Sequence, residues 1–206
     1  VRDISLEDLL KRDSNDINMS IIERFIQNKT VLVSGAGGSI GSEMCNQILE
    51  CKPKKLILLE KSEFNLYQIE RQCLAKNEHL KQNIPIIPLL LNVTDKDNVF
   101  YYIDKYKPEL VFHAAAYKHV PMVEKNIALS VKNNVLGTKI LADACVESKV
   151  AKFILVSSDK AVNPTNVMGA TKRLCEIYIQ SLNQLGVATK FSAVRFGNVL
   201  GSSGSV

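Results

Sequence analysis

An α/β fold built on a doubly wound parallel sheet is predicted by three features of the sequence. Short, β-branched and almost continuously apolar runs alternate with longer segments of helical periodicity. A glycine-rich turn closes the first apolar run, and an acid closes the second.

The elements follow in chain order. Residues 1–28 read as a polar, helical lead-in. Ser5-Leu6-Glu7-Asp8 has the spacing of a helix start, and Ile21, Ile22, Phe25 and Ile26 form an apolar stripe. Residues 29–206 are expected to form the domain proper. Strands are predicted over Thr30–Ser34, Lys55–Glu60, Ile84–Leu90, Leu110–Ala114, Lys152–Ser157 and Lys190–Arg195. Helices are predicted over Ser39–Glu50, Glu63–Asn77, Lys96–Tyr106, Ala128–Ser148 and Ala170–Leu185. Strands that are apolar throughout imply a sheet covered on both faces. Ligands of such sheets bind beyond the carboxyl ends of the strands, so the strand ends are where chemistry is sought.

Composition narrows the classes. The 206 residues are 46% hydrophobic and 23% charged, which suits one folded domain. The net charge of +5 is scattered among acids without an aromatic-plus-basic motif, so no nucleic-acid partner is expected. No apolar run approaches the ~20 residues of a bilayer span, so no membrane contact is expected from this segment itself. Cys45, Cys51, Cys73, Cys145 and Cys175 are odd in number and lack CxxC spacing. They read as free thiols in a reduced, intracellular setting. His113 and His119 lie far from other candidate ligands, so no metal site is expected. The chain starts at Val1 and stops at Gly-Ser-Val just after a strand, and both ends are expected to be cut.

The first strand runs into Ser34-Gly35-Ala36-Gly37-Gly38-Ser39-Ile40-Gly41, with Gly35, Gly38 and Gly41 spaced GxxGxxG. A strand before and a helix after are the context in which this turn cradles a dinucleotide pyrophosphate. Missing side chains permit the tight turn and the backbone's approach to phosphate. The fold is therefore expected to be Rossmann-like. Glu60, 19 residues beyond Gly41, is placed to accept adenosine ribose hydroxyls and to repel a 2′-phosphate, which favours NAD over NADP. Lys61 and Ser62 pull the other way. Asn92 and Val93 are expected beside the adenine, and Ala114, Ala115 and Ala116 leave room for a cofactor across the fourth strand end. Asn133 and Asn134 fall on the next helix, where a buried asparagine braces a neighbouring strand, or where a polar pair is satisfied locally.

The fifth strand ends in Ser157-Ser158-Asp159-Lys160, a polar cluster suited to acid–base work or, equally, a solvated turn. Extended geometry would separate the Ser158 and Lys160 side chains from Asp159 unless the strand has already turned. Beyond it, Asn163 to Lys172 reads NPTNVMGATK. On these motifs the chain resembles the extended short-chain dehydrogenase/reductase family, whose site pairs a strand-end Ser/Thr with YxxxK on one helix face. Met168 stands at the tyrosine position and Lys172 at the lysine, four apart and so on one face. A thioether transfers no proton.

SSDKAVNPTNVMGATKR, HAAAYKHVPMVE, NNVLGTK and RFGNVLGSSGSV are similar to bacterial nucleoside-diphosphate-sugar 4,6-dehydratases of polysaccharide biosynthesis. In particular they resemble the long, membrane-anchored, CapD-like group, which carries methionine at the tyrosine position. The soluble part of that group opens with a segment like Val1–Leu10. The resemblance implies a UDP-sugar substrate, UDP-N-acetylglucosamine above others. It implies tightly held NAD that takes hydride from sugar carbon 4 and returns it to carbon 6 after water is lost across carbons 5 and 6. By motif position it implies Lys160 as the base at carbon 5 and Asp159 as the acid for the departing hydroxyl. Ser158 would orient carbon 4, and Lys172 would hold the nicotinamide ribose. A water relay or Asp159 would stand in for the missing tyrosine. Lys118 would meet substrate or cofactor phosphate, and His119 and Asn198 would face substrate. It further implies a homo-oligomer on the cytoplasmic face of the inner membrane. It implies, too, a substrate lobe of more than ~100 residues, expected to lie outside this chain. A same-family epimerase and a non-catalytic NAD-binding domain are the alternatives.

Overall fold

The computed structural model describes residues 19–197 and residue 199. Six strands, β1 (Thr30–Ser34), β2 (Lys55–Glu60), β3 (Ile86–Leu90), β4 (Leu110–His113), β5 (Lys152–Ser158) and β6 (Lys190–Phe196), form one sheet. Its order is β3-β2-β1-β4-β5-β6, and every neighbouring pair is parallel. The chain reverses its direction of travel across the sheet between β1 and β4. That switch point opens a crevice at the carboxyl edge.

Eight α-helices are present among the described residues, and the principal ones can be placed by what they bury. Helices α2 (Ser39–Glu50) and α3 (Glu63–His79) pack on one face, where Val31, Val33, Leu56 and Leu58 meet Cys45, Leu49, Leu66 and Ile69. Helices α4 (Lys96–Tyr106), α7 (Gly137–Glu147) and α8 (Val167–Gln184) cover the other, where Leu32, Ile57, Val111 and Phe153 meet Val99, Leu141, Cys145 and Ile179. Successive residues of β1 and β2 thus bury on opposite faces, which is why these inner strands are almost wholly apolar, while the edge strands β3 and β6 are more exposed. All five cysteines are buried free thiols. A short helix α1 (Met19–Ile26) precedes β1 and anchors through Ile26; the helix start expected at Ser5–Asp8 lies outside the described residues.

Several boundaries move for identifiable reasons. β3 starts at Ile86 instead of Ile84, because the Asn77 amide takes both backbone groups of Ile84, at 3.3 Å from its N–H and 3.0 Å from its carbonyl. β4 stops at His113, one residue short. The helix expected over Ala128–Ser148 is divided into α6 (Ile127–Val131), a π-helical turn (Lys132–Leu136) and α7. A further short helix, α5 (Val120–Lys125), carries Pro121 in its first turn, where a missing N–H costs nothing. α8 begins three residues early, at Val167. The Asn166 side chain accepts from Gly169 N–H at 2.8 Å, and Glu124 accepts from Val167 N–H at 2.7 Å.

One ionic cluster ties α8 to the sheet. The Glu176 side chain, 1% exposed, accepts from Ser157 Oγ on β5 at 2.7 Å and from Arg195 on β6 at 2.9 and 2.7 Å. Arg173 adds a bond at 3.1 Å. Arg195 above all, helped by Ser157 and Arg173, pulls the Glu176 carboxyl down to about 2 against the opposing effect of burial. The depressed value means this stabilisation is complete above the unfolded-state pKa near 4.5 and is lost as pH falls toward 2. Glu176→Gln is expected to destabilise the fold by about 3 kcal/mol at pH 7. Urea unfolding of both proteins should converge between pH 4.5 and 2; a constant difference across that window would refute the assignment.

Candidate functional site

The glycine turn is shaped by contact. Gly35 follows β1 with φ +68°, and a Cβ there would stand 2.7 Å from the backbone N and Cα of Ala115. A Cβ on Gly41 would fall 2.0 Å from the Gly35 carbonyl oxygen, so α2 sits directly on the turn. Gly37 instead packs against Asn65 of α3, 2.6 Å from a notional Cβ, and does not face the crevice. Gly38 differs: its Cβ would meet only the Gly35 carbonyl, at 3.3 Å, and otherwise points into open space. No side chain caps the amino end of α2 at Gly38. An uncapped helix terminus facing a groove of about 450 Å³, shared with Ser39, Ile40, Lys118 and His119, fits a dinucleotide pyrophosphate.

Beside that groove, a cleft of about 190 Å³ is lined by Glu60, Lys61, Val93, Ala114–Ala116, Tyr117 and Asn133, among others. Glu60 is buried, and its carboxylate accepts from Gly37 N–H at 3.2 Å, Lys61 N–H at 2.9 Å and Ser62 N–H at 3.0 Å. It therefore braces the glycine turn as well as facing the cleft. Lys61 reaches across to Tyr117 and Asn133. Ser62 is not brought into the cleft: its hydroxyl caps α3 by accepting from Asn65 N–H at 3.3 Å. Asn92 is not brought there either. It is exposed, and its amide oxygen accepts from the Thr94 N–H and hydroxyl, both at 3.0 Å, to close the turn after β3.

On the other side of Ile40, Ala114 and Ala116 lies a cavity of about 430 Å³ that gathers Ser158, Lys160, Met168, Lys172, Lys118 and His119. β5 ends at Ser158, and the chain turns at once into a 3₁₀ turn over Asp159–Ala161. That turn resolves the spacing problem of an extended strand. Ser158 Oγ donates to Asp159 Oδ1 at 3.0 Å and accepts from Lys160 N–H at 3.2 Å, while Lys160 Nζ stands 3.3 Å from Asp159 Oδ1. Asp159 is exposed at the rim and does not line the cavity. The Ser158 hydroxyl, then Lys160, hold its carboxyl below the usual range. Met168 is buried and Lys172, one turn on, donates from Nζ to the Val156 carbonyl at 2.8 Å. Burial pulls the Lys172 ammonium below its ordinary value, against support from Cys175 and Glu176. A Cβ on Gly169 would stand 2.1 Å from the Lys160 carbonyl oxygen, which is how α8 comes so close to the polar turn. Asn198 lies outside the described residues.

Three residues, His113, Asn134 and Glu124, hold this site together, and only Glu124 has no expected role in the sequence. His113 is fully buried; the Thr138 hydroxyl donates to the Asn134 carbonyl at 2.6 Å, so it accepts from His113 Nε2–H at 2.9 Å. His113 Nδ1 then accepts from Ser34 Oγ at 2.6 Å. Burial, with the Lys172 charge, drives its pKa down to about 3 and keeps the ring neutral. It is a structural histidine. Asn134, not Asn133, is the bracing asparagine: its amide clamps the backbone N–H and carbonyl of Tyr117 at 2.8 and 3.0 Å and donates to Thr171 at 3.0 Å. Glu124 fixes α5 to the start of α8. Doubled asparagines were a visible signal; Glu124 gave none. Among the described residues, no three His, Cys, Asp or Glu side chains are grouped to hold a metal.

Comparison with known proteins places this arrangement. A family model described as polysaccharide biosynthesis protein matches residues 31–206. The capsular polysaccharide biosynthesis protein CapD of Staphylococcus aureus is 48% identical over all of this chain, which covers 34% of CapD. A UDP-N-acetylglucosamine 4,6-dehydratase (inverting) of Campylobacter jejuni is 36% identical over 86% of this chain and 51% of its own length. This chain thus spans between a third and a half of those relatives. The X-ray structure of Pen from Bacillus thuringiensis superposes with TM-score 0.79 at 36% identity, covering 88% of this chain and 56% of Pen. A UDP-glucose 4-epimerase from Brucella ovis in complex with NAD shares the fold at TM-score 0.68 and 21% identity, over 85% and 54% of the two chains. The resemblance to the CapD-like group is borne out, and the chain belongs to the polysaccharide biosynthesis protein family.

Proposed function

We propose that this chain is the cofactor-binding and catalytic half of an NAD-dependent dehydratase acting on a UDP-sugar, UDP-N-acetylglucosamine being the substrate its motifs favour. The observation that carries the reading is the junction of two spaces. The glycine-turn groove and the cavity holding Ser158, Lys160, Met168 and Lys172 share Ile40, Ala114, Ala116, Lys118 and His119. A dinucleotide held by Gly35, Gly38 and Gly41, with its adenosine toward Glu60 and Val93, would present its reactive end to that cavity. When bound, it supplies hydride acceptance from carbon 4 of the sugar and hydride return to carbon 6. NAD is favoured over NADP because the Glu60 carboxylate faces the cleft and Lys61 is turned toward Tyr117.

The chain's own groups move the protons. Met168 cannot accept the carbon 4 hydroxyl proton. Ser158 can pass it on, since its Oγ already donates to Asp159 Oδ1 at 3.0 Å. A proton taken by Ser158 Oγ from the sugar and released to Asp159 loads the acid that elimination requires. The low carboxyl pKa of the resting site is consistent with this order, because Asp159 starts ionised and becomes an acid only after carbon 4 is oxidised. Loading Asp159 also removes the counter-charge beside Lys160 Nζ. Lys160, its side chain 37% exposed, then gives its ammonium proton to solvent and as the neutral amine takes the carbon 5 proton, while Asp159 gives its own to the departing carbon 6 hydroxyl. Lys172 and Lys118 both line the cavity and would bring positive charge to the oxygens of sugar and phosphate.

The family also suggests a homo-oligomer attached to the cytoplasmic face of a bacterial inner membrane through segments outside this chain, which sedimentation of the intact protein with membranes would test. Two variants test the chemistry. Asp159→Asn in the full-length protein should slow loss of water from UDP-N-acetylglucosamine by about 100-fold or more, while the Kd for NAD changes less than about twofold. Mass spectrometry of the product reads the first; an unchanged rate ends the acid assignment, and a product of unaltered mass from the parent enzyme would favour epimerisation. Gly38→Val should raise the Kd for NAD at least about tenfold in a protein that still folds cooperatively, because the added side chain enters the groove past a single close contact, 3.3 Å from the Gly35 carbonyl. Undiminished NAD binding by that variant would sink the cofactor placement.

A further inference from the structure

β1 lies between β2 and β4 in the sheet. A bond joining the loops after β2 and β4 therefore has to cross above the carboxyl end of β1, where Gly35 and Gly38 form the floor of the smaller cleft. Such a bond is present. Lys61 Nζ, from the β2 loop, donates to Tyr117 Oη of the β4 loop at 2.6 Å and lies 3.9 Å from the centre of its ring. It also stands 3.3 Å from Asn133 Oδ1.

The far anchor of this bridge is rigid. Tyr117 is 41% exposed at its side chain's level of the surface, but its backbone is clamped at both polar groups by Asn134. Asn133 and Asn134 are consecutive, and on an α-helix their side chains would diverge by roughly 100°. From the π-helical turn at Lys132–Leu136, Asn134 holds the Tyr117 loop and Asn133 meets Lys61 of the β2 loop. Lys61 itself is exposed and long, so the near anchor can swing.

We infer that Tyr117 is a cofactor-holding residue: with Lys61 and Asn133 it closes a bridge over the adenosine end of the dinucleotide and slows its departure. The inference rests on the cofactor placement proposed above. A ligand on the Gly35–Gly38 floor of the smaller cleft lies beneath the Lys61–Tyr117 contact, which must part for it to leave on that side. The bridge engages the Lys61 ammonium without a 2′-phosphate, as NAD would require. A hydride lent and returned within one turnover requires a cofactor that stays, which is the property such a bridge supplies.

The test is the dissociation rate of NADH and of NADPH from the full-length protein, read by stopped-flow fluorescence on displacement by excess oxidised dinucleotide. Lys61→Met and Tyr117→Ala are expected to speed NADH release by about tenfold, with association changed less than about threefold. Tyr117→Phe, which keeps the ring and loses the hydroxyl acceptor, should fall between them and the parent, and is the informative variant if Tyr117→Ala does not fold. Unchanged NADH release in Lys61→Met and Tyr117→Phe would overturn the bridge. So would a Lys61→Met effect confined to NADPH, which would make Lys61 a 2′-phosphate ligand instead. A parent protein that binds neither dinucleotide would fail the underlying cofactor reading, a result distinct from both.

Discussion

The close approach of the β1 turn to the backbone after β4 is the contact on which the rest of the site depends. Gly35 lies against Ala115 with no space for a methyl group, and Gly41 lies against Gly35 in turn. This stack sets the distance between β1 and the β4 loop, and so the width of the crevice. It also fixes the direction of α2, whose uncapped end faces the groove. Any Cβ in the stack would have to displace main chain instead of a side chain, a strain that local adjustment absorbs poorly.

Around that stack the polar groups are arranged as one connected frame. Ser34, His113, Thr138 and the Asn134 carbonyl form a buried chain of hydrogen bonds running from β1 to α7. The Asn134 side chain carries it on to Tyr117 and to Thr171 of α8. α8 is held again at Glu176 and, at its start, by Glu124. The helix that bears Met168 and Lys172 is thus fixed at three levels relative to the strand that bears Ser158. Precise spacing of reacting groups requires such support from residues that never touch the substrate.

Much of this could be read from the chain, and the parts that could not have physical reasons. Strand–helix alternation and GxxGxxG specify the sheet and its crevice because each depends on neighbours in sequence. The union of Ser158, Lys160, Met168 and Lys172 followed from motif spacing, but the 3₁₀ turn that joins Ser158 to Asp159 did not, since extended and turned backbones suit the same residues. Asn92 and Ser62 were expected at the cleft on position alone; each instead satisfies a nearby backbone N–H, a competition that short polar side chains commonly win. Ile84 left its strand for a side-chain amide in α3. The Lys61–Tyr117 contact was hidden because its partners stand 56 residues apart in the chain and meet only in the folded sheet.

Because every pair of adjacent strands is parallel, no strand is joined to its neighbour by a hairpin, and each pairing closes a long loop of chain. The ladder of β1 with β4 brings together residues 79 apart, as at Ser34 and His113. Loop closure of that length is an entropic toll met before the contacts it enables can repay it, and parallel topologies accordingly fold slowly. The floor of the crevice does not exist in a chain that has formed only its local β–α units. The proposed recognition of a dinucleotide is therefore coupled to completion of the central ladder, and a nascent chain completes the crevice late, after the segment beyond residue 113 has been made.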